Sequence, residues 1–128
     1  MKLFLLRVIL LSASTTVALA GGIDQYNVVW DSPSADARGS MPIGNGDIGL
    51  NVWIEPSGDL VFYVSKTDAW DENGRLCKVG RVRVKFDPPL PVTQSFRQEL
   101  NLREGVIEVT AGKSRLELWV DARAIASN

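Results

Sequence analysis

The chain has 128 residues, 45% apolar and 23% charged, with fourteen basic against fifteen acidic side chains. That is an ordinary globular composition, neither disordered nor collagen-like. Histidine is absent, which excludes a Ser-His-Asp triad, His-ligated zinc and an imidazole general base.

The first twenty residues, MKLFLLRVILLSASTTVALA, have the form of a secretory signal. Lys2 and Arg7 supply positive charge around an apolar run from Leu3 to Leu11. Ala18-Leu19-Ala20 supplies the small-x-small pattern at which a signal peptidase cuts. The run is too short to span a membrane, which takes about 20 apolar residues. Removing this leader leaves Gly21 to Asn128, 108 residues with twelve basic and fifteen acidic groups and a net charge of −3. One small domain fits that length, burying roughly 60–70% of its unfolded surface. The expected location is periplasmic or extracellular, with no membrane association once the leader is gone. A mildly acidic chain argues against a nucleic-acid partner. Cys77 is the only cysteine, so no internal disulfide can form and the fold must rest on its core. No cysteine follows the leader, which argues against a lipid anchor, and there is no Asn-x-Ser/Thr acceptor site.

The rest of the chain is strand-rich. Tyr26 to Trp30 is a short β-type run that ends at Asp31-Ser32-Pro33, and Ser34 to Gly49 reads as loop, dense in Ser, Gly, Asp and Pro. Leu50 to Ile54 and Leu60 to Val64 are apolar strands around the turn Glu55-Pro56-Ser57-Gly58-Asp59. Asp71-Glu72-Asn73-Gly74-Arg75 is a second turn. Val82, Val84 and Phe86 then alternate with Arg81, Arg83 and Lys85, whose basic stripe predicts a solvated sheet face. Asp87-Pro88-Pro89-Leu90-Pro91 breaks that strand. Phe96, Leu100 and Leu102 oppose Arg97, Glu99 and Arg103. Val106 to Thr110 follows a Glu104-Gly105 turn, and Leu116, Leu118 and Val120 alternate with Arg115, Glu117 and Asp121. No 3.6-residue apolar period persists for three turns, so little helix is expected outside the leader. Short strands with turns every 8–12 residues predict an all-β antiparallel sandwich over residues 21–128. The stretch 121–128 has neither a closing turn nor a charged tail, so the sheet is expected to continue past Asn128, leaving the last strand with an open edge.

Gly44-Asn45-Gly46-Asp47-Ile48-Gly49 satisfies the dinucleotide pattern G-x-G-x-x-G to the letter. That pattern binds a pyrophosphate only between a strand and a helix. Here an apolar strand follows, so the segment reads as a tight loop, shaped for packing or for a ligand. Acidic groups are the remaining catalytic candidates, and glycosidic cleavage needs two carboxyls about 5–10 Å apart with one protonated. Asp47, Asp68, Asp71 and Glu72 cluster near turns, where carboxylates serve turn chemistry. Of the tryptophans, Trp53 reads as core and Trp70, in a polar stretch, as an exposed ligand contact; Trp30 and Trp119 could also stack on sugar rings.

Trp30, then Met41-Pro42-Ile43-Gly44-Asn45-Gly46-Asp47-Ile48-Gly49, then Val52-Trp53 and Thr67-Asp68-Ala69-Trp70, resemble the start of glycoside hydrolase family 95 and its relatives. The run from Tyr26 through Leu90 resembles more closely the domain-of-unknown-function family 5703. The resemblance implies an N-terminal β-sandwich, part of a larger supersandwich, that packs on a following (α/α)6-barrel carrying the catalytic acid and base. It places Gly44, Asn45, Gly46 and Gly49 in a loop near the domain interface. The relatives read Asp-Thr-x-Trp where this chain has Thr67-Asp68-Ala69-Trp70, with the first two exchanged. The ligand or interface candidates are therefore Gly44, Asn45, Gly46, Asp47, Asp68 and Trp70. No catalytic residue, metal ligand or cofactor is assigned to this chain. The expected partners are the barrel of the same parent protein and carbohydrate; the competing reading is a free-standing carbohydrate-binding or adhesive module.

Export is expected to remove residues 1–20. Mass spectrometry of the secreted product should then find Gly21 at the N-terminus, and a product retaining Met1 or Lys2 would contradict the assignment.

Overall fold

Period-2 alternation decides most of the architecture, because a strand with one apolar face must bury that face against a second sheet. The computed structural model describes residues 22–121; the leader and residues 122–128 lie outside the described residues. Within them the regular structure is eight strands and two short 3-10 turns, Ile23–Tyr26 and Ala37–Gly39. The strands are β1 (Val28–Trp30), β2 (Met41–Gly44), β3 (Ile48–Ile54), β4 (Leu60–Trp70), β5 (Leu76–Val84), β6 (Phe96–Asn101), β7 (Val106–Ala111) and β8 (Ser114–Leu118). All pairs are antiparallel, in two four-stranded sheets ordered β1-β6-β7-β8 and β2-β3-β4-β5. This is the all-β sandwich that the alternation predicts.

Met41, Val52, Ile54 and Leu60 from one sheet meet Leu100, Ile107 and Val109 from the other, and all are buried. Phe62, Val84, Phe86, Phe96, Leu116 and Leu118 flank this core. One polar side chain lies inside it. Gln98, only 2% exposed, sits between Phe96 and Leu100 on the inward face of β6. Its Nε2 donates to the Val52 carbonyl of β3 at 3.2 Å, across the gap between the sheets. Because a buried amide without a partner is costly, this bond couples the position of β6 to that of β3.

Four segments depart from the sequence-based expectation. Tyr26 closes a 3-10 turn, so the first strand begins only at Val28. The stretch 34–49 is not all loop, because it contains β2, paired with β3 through Met41↔Val52 and Ile43↔Leu50. Pro42 disguised it, yet β2 is an edge strand, where a missing N–H costs no ladder bond. β4 runs on past Val64 to Trp70, so Asp68 and Trp70 stand on a strand instead of a loop. Register shifts between Val64 and Trp70 bend the β4–β5 pair into a ribbon beyond the end of β3. The last strand stops at Leu118, short of Asp121, and among the described strands β8 pairs on one side only, with β7.

Arg81, Arg83 and Lys85 are exposed, as the basic stripe predicts, but the outer face of β3–β5 beneath Arg81 also carries a buried aromatic. Trp53 is buried, but on this face, opposite Val61, and not in the central core. Its ring lies 5.3 Å from that of Tyr63, with the Arg81 guanidinium 5.8 Å away. Lys78 Nζ stands 3.9 Å above the Tyr63 ring. Arg83 bridges Glu55 at 2.7 Å and Asp59 at 2.6 Å, so the hairpin turn 55–59 supplies the counter-charge for β5. The cations thus lie over aromatic rings and carboxylates, covering apolar surface with their stems.

Gln98→Ala should destabilise the chain by about 2–4 kcal/mol, through a cavity and an unpaired Val52 carbonyl. Gln98→Leu keeps the volume and should cost roughly 1–3 kcal/mol, the carbonyl penalty alone. Urea unfolding measures both, and unchanged midpoints in the two variants would contradict the cross-sheet role.

Candidate functional site

The tight turn between β2 and β3 is built by its own side chains. Gly44 pairs with Gly49, and the Asn45 amide donates to the Ile48 carbonyl at 3.1 Å. Asn45 Oδ1 then accepts from the amides of Asp47 at 3.0 Å and Ile48 at 2.8 Å, the local pattern for which Asn is favoured in turns. Gly46 takes φ +94°, a conformation that disfavours a side chain. A Cβ on Gly44 would stand 2.7 Å from the Ile48 carbonyl oxygen, so the close approach of β2 and β3 needs glycine there. Asn45 Nδ2 donates to the Asp121 carbonyl at 2.9 Å, tying the turn to the chain beyond β8.

The start of the β4–β5 ribbon closes onto this turn. The Thr67 amide donates to the Asp47 carbonyl at 2.9 Å, and Thr67 Oγ1 donates to Asp47 Oδ1 at 2.9 Å. Lys66 Nζ lies 2.6 Å from Asp68 Oδ2 and 3.4 Å from Asp47 Oδ1. Trp70 Nε1 donates to the Thr67 carbonyl at 2.6 Å, which holds the indole against its own strand. A cleft of about 210 Å³ opens between the two segments, with Gly44, Gly46, Ile48, Gly49, Ser65 and Leu76 among the residues that line it beside Asp47, Lys66 and Thr67. All six candidate residues read from the sequence lie at this end of the sheet, although Asn45, Asp68 and Trp70 do not line the cleft.

The electrostatics do not suit acid–base work. The Lys66 ammonium beside Asp68 holds that carboxyl below its ordinary range, and both carboxylates in turn raise Lys66. Cleavage of a glycoside by paired carboxyls needs one of them protonated, whereas the Lys66 ammonium favours the ionised form of Asp68. Asp71 is occupied in its own turn, accepting from the amides of Asn73 at 2.9 Å and Arg75 at 2.8 Å. Among the described residues no group of three or more His, Cys, Asp or Glu side chains could hold a metal ion. What the end does offer is apolar surface. Trp70 is 59% exposed and Leu76 52%, register partners on the ribbon, and Val79, further along β5, is 61% exposed.

Sequence reasoning passed over Lys66 and Leu76. A signal existed for the first, since Lys66 and Asp68 are two apart on one strand and so share a face. Leu76 could be placed only once β4 was known to reach Trp70, its register partner.

Fold and site together define a two-sheet antiparallel sandwich domain with a glycine-turn cleft and an apolar ribbon at one end. The profile of the family described as domain of unknown function DUF5703, N-terminal part, matches residues 29–126, and the chain belongs to that family. No curated protein and no solved structure matches it significantly.

Lys66→Gln should return the Asp68 carboxyl toward its ordinary value of 3.8. The sign follows from the lowered pKa: the Lys66–Asp68 pair stabilises the fold above the ordinary carboxylate range, and this is lost as pH falls through the folded pKa. Side-chain carboxyl titration by NMR checks it, and an Asp68 midpoint that Lys66→Gln does not move would contradict the pairing.

Proposed function

We propose that the chain is the non-catalytic N-terminal β-sandwich of an exported glycoside hydrolase-like protein acting on carbohydrate. Its glycine-turn end seats against a following (α/α)6-barrel domain of the same polypeptide. The observation that carries the docking is the exposed register pair Trp70 and Leu76, both more than half exposed, with Leu76 lining the cleft at Gly44–Gly49. Surface apolar groups scattered singly need no partner, but a paired set bordering a cleft is the form an interface takes. The Lys66 ammonium, which keeps Asp68 ionised beside Asp47, suits a supporting role better than acid–base work, with the cleavage chemistry on the barrel. The parent's link to carbohydrate rests on the resemblance of the Gly44–Gly49 and Thr67–Trp70 segments to glycoside hydrolases, and a fold shared by many functions does not fix one.

Two measurements test this together. Reading the coding sequence past Asn128 should find a long helix-rich continuation; a stop codon there would favour a free-standing binding module. The full-length product should hydrolyse an aryl glycoside while the present chain does not. Hydrolysis by this chain alone that disappears in Asp47→Asn or Asp68→Asn would place the active site here and overturn the proposal.

A further inference from the structure

A second cavity, of about 250 Å³, lies at the opposite end of β3, lined by Trp30, Asp31, Ser32, Pro33, Ser34, Arg38 and Gly39. The Ser34 amide donates to the Ile54 carbonyl at 2.9 Å, fixing this loop to the end of β3 remote from Ile48. At about 3.4 Å per residue, β3 separates the two ends by roughly 20 Å. The cavity is therefore independent of where the domain docks.

Its walls are pre-formed. Ser34 Oγ donates to the Asp36 carbonyl at 2.8 Å, and Asp36 Oδ1 accepts from the Arg38 amide at 2.9 Å. The Asp36 carboxylate also grips the Arg38 guanidinium at 2.7 Å, which orients that side chain at the cavity mouth. A Cβ on Gly39 would stand 2.4 Å from Ser34 Oγ, so the loop closes on itself only with glycine there. Trp30, on the edge strand β1, is 40% exposed and contributes an aromatic surface. Asp31 makes no hydrogen bond or ion pair with any described residue, so its acceptors are free for a ligand.

From this lining we infer that the cavity binds a single neutral sugar ring. The aromatic face of Trp30 suits the C–H face of a pyranose. Asp31 offers acceptors, Arg38 donors, and the Ser32 hydroxyl both. A mixed donor and acceptor set matches hydroxyl groups, each of which donates and accepts. An ammonium ligand would want acceptors alone, and a carboxylate or phosphate would want donors alone. Asp36 already offsets the Arg38 charge, so the Asp31 carboxylate sets the charge of the lining and disfavours an anionic ligand. The volume falls below the ~300–1,000 Å³ of sites for drug-sized ligands, so the cavity takes one ring and no long oligomer.

The test is a titration of the full chain, followed by amide and indole NMR shifts, with D-glucose, D-galactose, L-fucose and D-xylose in turn. Glucosamine and glucuronate serve as charged controls. At least one neutral sugar should give saturable shifts confined to residues 30–39, with a dissociation constant in the millimolar range expected of so small a ligand. Trp30→Ala should weaken binding roughly tenfold by removing the stacking surface. Asp31→Asn, on an exposed loop where folding is not at risk, should weaken it several-fold, while Lys113→Gln, on the exposed turn between β7 and β8, should leave it unchanged. Absence of saturable shifts with all four neutral sugars, tighter binding of a charged control, or unaltered binding in Asp31→Asn would each overturn the inference.

Discussion

The hydrogen bond from Gln98 to the Val52 carbonyl sets the frame on which both ends of the molecule depend. Strand register in a sandwich is normally read by hydrophobic alternation, and a slip of one residue exchanges the two faces. β3 carries Ile48, Leu50, Val52 and Ile54 on one face and Gly49, Asn51 and Trp53 on the other, so alternation chooses its core face although Val52, Trp53 and Ile54 are all buried. What alternation leaves open is a slip by two residues, which keeps the same face inward. A directional bond from the opposite sheet to the Val52 carbonyl opposes that slip. With it in place Val52 and Ile54 lie in the central core and Trp53 faces outward to Tyr63 and Arg81.

With β3 so placed, its two ends acquire different chemistry. At one end Asn45 and Asp47 organise the Gly44–Gly49 turn and receive the Thr67 bonds, and the β4–β5 ribbon projects with its apolar side chains uncovered. At the other end the Ile54 carbonyl anchors Ser34 and with it the loop that walls the Trp30 cavity. The charges follow the same division. Lys66 is shared by two carboxylates at the first end, while Arg83 is shared by Glu55 and Asp59 beside the β3–β4 turn. The Lys66 set keeps one carboxylate charge in excess, whereas Arg81 on Glu55 balances the other set, and the exposed pairs contribute orientation more than stability.

The fold class was legible because β6, β7 and β8 alternate cleanly and turn at Gly105 and Gly112, both with positive φ. β2 was hidden because Pro42 and the flanking glycines carry loop composition, and only its edge position makes that composition admissible. Gln98 was passed over for a related reason: a polar residue between Phe96 and Leu100 reads as an interruption unless its partner on the other sheet is known. The candidate residues around Gly44–Gly49 were legible from spacing, since turn-forming Asn and Gly announce themselves locally. Their meeting with Thr67 was not, because a contact twenty residues away depends on the length of β4. The ribbon was misjudged for the same cause, its polar stretch from Ser65 to Asp68 concealing a strand that pairs only with β5 beyond Lys66.

The register of β3 against the second sheet is open to direct observation. In NOE spectra of the folded chain, the Gln98 side-chain amide protons should show strong cross-peaks to backbone protons at Val52 and Trp53, with the Trp53 ring close to Tyr63. Gln98 amide shifts at solvent-exposed values, or cross-peaks from Gln98 to the Trp53 ring in place of the Val52 backbone, would mean that β3 is set by another constraint and would contradict the account.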